Sequence, residues 1–83
     1  MQYVLYVFAT RSAAMAFYDA CLARHVRAEV TNTPREVSAS CGISVRTTQR
    51  DYPRMRQVAE GIRGFASAYL VTETWTHHGM VRL

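Results

Sequence analysis

Lysine is missing from this 83-residue chain, and all ten of its cationic side chains are arginines. An arginine-only set is most simply a mark of genome composition. The alternative is selection for forked anion contacts, which the guanidinium makes and an ammonium does not. Cysteine is scarce too. Cys21 and Cys41 allow at most one disulfide, whereas secreted domains of this size usually carry two or more bridges, so reduced thiols in the cytoplasm are expected. The chain has only 4 Gly and 2 Pro beside 49% hydrophobic residues, which excludes disorder and collagen-like repeats. Long apolar runs are also absent. The longest, Tyr3 to Ala9, is far short of the roughly 20 residues that span a bilayer. No basic residue precedes that run and no small-residue cleavage site follows it, so it reads neither as a membrane anchor nor as a signal peptide. The formal charge of +4 permits nucleic-acid binding, but the arginines are scattered. The tightest group (Arg50, Arg54 and Arg56) lies beside Asp51 and Glu60, which argues against a nucleic-acid partner.

What is present fits one small domain over residues 1–83, with 76–83 as a short, flexible tail containing a turn at His78-Gly79. Gln2 to Ala9 is rich in β-branched and aromatic residues and apolar on both faces, as in a central strand. Ser12 is placed to cap an alanine-rich amphipathic helix from Ala13 to Arg24. Val26 to Thr31 and Ile43 to Thr47 alternate as half-exposed strands, with Thr33-Pro34 ending the first. Asp51 and Pro53 open a second helix, whose stripe of Met55, Val58, Ala59, Ile62 and Phe65 predicts an end near Ala66. A last strand is expected from Ala68 to Trp75. The order β-α-β-β-α-β predicts an α+β fold, a ferredoxin-like sandwich with four antiparallel strands and both helices on one face. The other face would then carry Tyr3, Leu5 and Val7 or their alternates, apolar surface that invites a homodimer or a heteromeric complex.

The chemically suggestive segment is Thr33 to Arg46, TPREVSASCGISVR. Cys41 follows Ser38 and Ser40, precedes Gly42, and is flanked by Arg35 and Arg46. Backbone amides at a Ser-Cys-Gly turn, with nearby arginines, favour thiolate over thiol and make the sulfur reactive. A buried structural cysteine is the competing account, and composition alone leaves both open. Pro34, Arg35, Glu36, Ser38, Ser40, Cys41 and Gly42 together resemble the signature of a small bacterial family described as putative selenium/sulfur carrier protein-like. Members of that family occur alone or appended to TusA/SirA-like sulfur-transfer domains.

The resemblance implies a carrier rather than a turnover enzyme. Cys41 would take up a sulfane sulfur or a selenium atom as a persulfide or selenosulfide and pass it from a donor protein to an acceptor protein. Arg35, Ser38, Ser40, Gly42 and Arg46 would bind or tune the anion, with no cofactor and no metal. Glu36 reads as a capping residue after Pro34, and Cys21 as a packed, inert thiol. His77 and His78, adjacent on an extended chain, point to opposite faces and make a poor metal pair. The aromatics Tyr3, Tyr6 and Phe8 suggest RNA stacking, but the third strand lacks the matching glycine-aromatic run. A small accessory or dimeric binding module, with the Cys-Gly turn purely structural, is the alternative.

Overall fold

A computed structural model of the protein describes residues 1–37 and 41–83. It is an α+β structure of two helices on an antiparallel sheet. In chain order the elements are β1 (Gln2–Phe8), α1 (Arg11–Ala23), β2 (Ala28–Asn32), β3 (Ile43–Thr47), α2 (Tyr52–Glu60), β4 (Phe65–Thr74) and β5 (His77–Arg82). A single 3-10 turn, Gln49–Asp51, leads into α2. The sheet has five strands in the order β2-β3-β1-β4-β5, so the expected count of four is corrected.

The central strand β1 is buried from Val4 to Phe8, as its two apolar faces require. Val4, Tyr6 and Phe8 point toward both helices and form one core with Ala14, Phe17, Cys21, Met55 and Ala59. The Phe17 ring lies 4.5 Å from Tyr6 and 5.3 Å from Phe8, within the range of favourable aromatic pairing.

The opposite face departs from expectation. Leu5 and Val7 are 1% and 0% exposed although no helix covers them. They pack with Val71, with half-buried Tyr3, Tyr69 and Met80, and with Val37 from the β2–β3 connection. Val37 reaches this face from the connection and fills part of the place that had been assigned to a second chain. Leu5 and Val7 are therefore covered within the chain, and the apolar surface this face still offers is that of the half-buried Tyr3, Tyr69 and Met80.

Several boundaries move for local reasons. Thr10, not Ser12, caps α1: its Oγ1 accepts from the Ala13 amide at 3.1 Å. The second strand begins two residues later than its alternation suggests and lies at a sheet edge, where Val30 is 40% exposed. Helix α2 stops at Glu60 with Gly61 as its cap, and Gly64, at φ +103°, turns the chain into β4. Ile62 and Phe65 continue the helical spacing, but they reach the same core from a turn and from a strand. The supposed tail is β5, paired with β4 from Tyr69↔Arg82 to Thr74↔His77. The hairpin turns at Trp75-Thr76, with Trp75 100% exposed at its tip.

Candidate functional site

In the antiparallel pair of β1 and β3, Val7 lies opposite Ser44. The residues that follow β1 are therefore brought against those that precede β3. Ala9, Thr10, Arg11, Cys41, Gly42 and Ile43 line one open cleft of about 310 Å³. The base of the β2–β3 connection is clamped beside it. The Thr33 amide donates to the Gly42 carbonyl at 3.0 Å, and the Thr33 hydroxyl donates to the Cys41 carbonyl at 3.1 Å. That hydroxyl's proton is then committed, so the Ser44 hydroxyl, 2.6 Å away, is the donor to Thr33.

Cys41 is 6% exposed, yet it belongs to neither apolar cluster. It borders the N-terminus of α1, whose first turn carries no acidic residue to offset the positive end of the helix dipole. The amides of Arg11 and Ser12 find no acceptor among the described residues. An anion in this cleft would meet helix-end amides, the Thr10 hydroxyl and the Arg11 guanidinium. Cys21 is the opposite case. It is fully enclosed in the helix-side core, and burial pushes its thiol up to about 11, with Arg24 opposing and Asp51 adding to the rise.

The expected tuning residues are not all gathered here. Arg35 is exposed in a turn closed by the Val37 amide donating to the Pro34 carbonyl at 3.1 Å. Gly42 borders the cleft, but a Cβ there would meet nothing within 4 Å of it. Arg46 sits elsewhere. It holds Glu29 through Nη2 at 3.1 Å, lies 5.0 Å from the centre of the Tyr3 ring, and lines a separate cavity of about 180 Å³. Ser38 and Ser40 lie outside the described residues. Glu36 is not a helix cap: its carboxylate lies 3.4 Å from His78 Nε2, while Nδ1 of the same ring lies 3.4 Å from Glu73. Thr10 and Arg11 were not expected at the site. Antiparallel pairing of the first and third strands was the signal that would have found them.

The sequence model of the family described as "Putative Se/S carrier protein-like" matches residues 3–64, from β1 through the turn that follows α2. The chain belongs to this family. The matched segment thus holds both cysteines, the cleft and the Thr33 clamp, while β4 and β5 lie beyond the matched residues. No curated protein and no solved structure shows a significant match to the chain. Among the described residues, no helix is long and apolar enough to cross a membrane, and no cluster of three or more His, Cys, Asp or Glu is placed to hold a metal ion.

Proposed function

We propose that this protein is a cytoplasmic sulfur or selenium carrier whose working group is the Cys41 thiol. The observation that carries this reading is the position of Cys41: outside both cores, on an open cleft, beside the uncompensated N-terminus of α1 and Arg11. Family membership supports the same chemistry. The Cys41 thiolate attacks the terminal sulfur of a donor persulfide. The donor S–S bond breaks, its thiolate leaves, and a new S–S bond forms on Cys41. The transferred atom keeps its electron count, so no oxidant or reductant is consumed. A selenium atom on a donor sulfur follows the same course and leaves a selenosulfide.

The persulfide anion would be held by the α1 amides and Arg11, with Arg35 close to the clamped base of the connection. Passing the atom to an acceptor repeats the exchange in reverse, so the chain acts as a shuttle and not as a turnover enzyme. The strand order β2-β3-β1-β4 with both helices on one face supports a ferredoxin-like core extended by β5.

Loading with a small sulfane donor, followed by intact-mass measurement, tests the proposal. The wild-type protein and Cys21→Ser should each gain one sulfur, and Cys41→Ser none. Loading retained in Cys41→Ser would end the carrier function as stated here.

A further inference from the structure

The arginines are not evenly partnered. Arg46, Arg54 and Arg56 are bound to Glu29, Asp51 and Glu60. Three others belong to the three chain segments that meet at the end of the sheet that carries Cys41, after β1, after β2 and before β4. Arg11 lines the cleft itself. Arg63 precedes Gly64, whose carbonyl accepts from the Ala9 amide at 2.7 Å, and a Cβ on Gly64 would lie 3.7 Å from Thr10 Oγ1. Arg35 follows Thr33, the residue that clamps Cys41 and Gly42. All three side chains are exposed, and none has a carboxylate partner among the described residues.

The acidic residues are absent from this end or already engaged. Glu36 faces His78, and Glu60 is bound to Arg56. Asp19 lies about 12 Å further along α1 than Arg11. These segments therefore carry three arginines against one acidic side chain, Glu36, which is turned toward His78.

We propose that this group of arginines is the docking surface for the donor or acceptor protein, and that the partner presents an acidic face around its own reacting sulfur. The inference rests on the carrier function proposed above. Complementary charge speeds encounter and orients it, which a carrier needs because it must meet, react with and leave its partners. A protein face is favoured over nucleic acid because one of the three cations lines the cleft that holds the thiol and the other two lie on segments joined to that end of the sheet, while the other arginines without a carboxylate partner among the described residues (Arg24, Arg27, Arg50 and Arg82) are scattered elsewhere along the chain.

The test is a titration of the 83-residue protein with a short poly-L-glutamate, followed by backbone amide NMR. Shifts should concentrate at residues 10–12, 35–36, 41–43 and 63–64 and shrink as salt rises. Affinity should fall about tenfold in Arg11→Gln/Arg35→Gln/Arg63→Gln and hold in Arg24→Gln/Arg50→Gln. Shifts spread over all the arginines, or equal loss in both variants, would overturn the docking surface. So would a single-stranded oligothymidylate that moves the same amides more tightly than the polyglutamate, since the surface would then be one for nucleic acid. Sulfur loading from a small donor is measured separately. Loading without localised polyglutamate binding overturns the docking surface alone, and localised binding without loading overturns the carrier function alone.

Discussion

Cys21 is enclosed by β1, α1 and α2, whereas Cys41 borders a cleft with a helix end on its other side. The enclosure of Cys21 has a pH consequence. An unfolded chain ionises this thiol near its ordinary value of 9.0, but the folded chain holds the proton until about 11. Between those values the unfolded state has fewer bound protons, so stability falls as pH rises and is unaffected below that window. Denaturation midpoints of wild type and Cys21→Ala, compared from neutral pH to pH near 11, should converge as the wild type loses this contribution. A constant difference across that range would contradict the burial effect. The different surroundings of the two cysteines were legible from composition, because Cys21 falls on the apolar flank of a helix and Cys41 in the least apolar stretch. Arg46 was misread because nearness in sequence to Cys41 was taken for nearness in space. A strand carries it away along the sheet, by about 10 Å from Ile43.

The connection between β2 and β3 is the element that alters the picture most. Val37 closes the sheet face over Leu5, Val7 and Val71. Truncation in Val37→Ala removes two buried methyl groups and should cost about 2 kcal/mol in chemical denaturation. Val37→Asp should go further, because a carboxylate cannot remain in that apolar seat. The face would then open, and sedimentation should show more self-association than in the wild type at the same concentration. A monomeric, undiminished Val37→Asp protein would show that other side chains seal the face. Among the other elements, β3 was read to the residue, since its alternation has no competing signal. The start of β4 was not, because Ile62 and Phe65 keep a helical period through a turn that Gly64 creates. The fifth strand was hidden by its hairpin: Trp75-Thr76 has none of the Asn-Gly or Gly-rich chemistry that announces a two-residue turn.

At the scale of the molecule, the helix–sheet layering was legible, because two apolar helical stripes and a doubly apolar first strand admit few arrangements. What the far face of the sheet meets was not, since a polar-looking connection gives little sign that one valine will cross it. The far strand is tied to that same connection. His78 on β5 faces Glu36, so the residues beyond the family match hold part of the segment that leads to Cys41. The hairpin that carries His78 ends in Trp75, the one tryptophan of the chain, standing wholly in water. An indole already bathed in solvent has no drier environment to lose. Its emission should therefore sit at the long-wavelength limit in the native state and barely move through a urea transition that circular dichroism records in full. The chain's one indole should be blind to its folding, and for the same reason it is well placed to report anything that comes to rest on the hairpin tip.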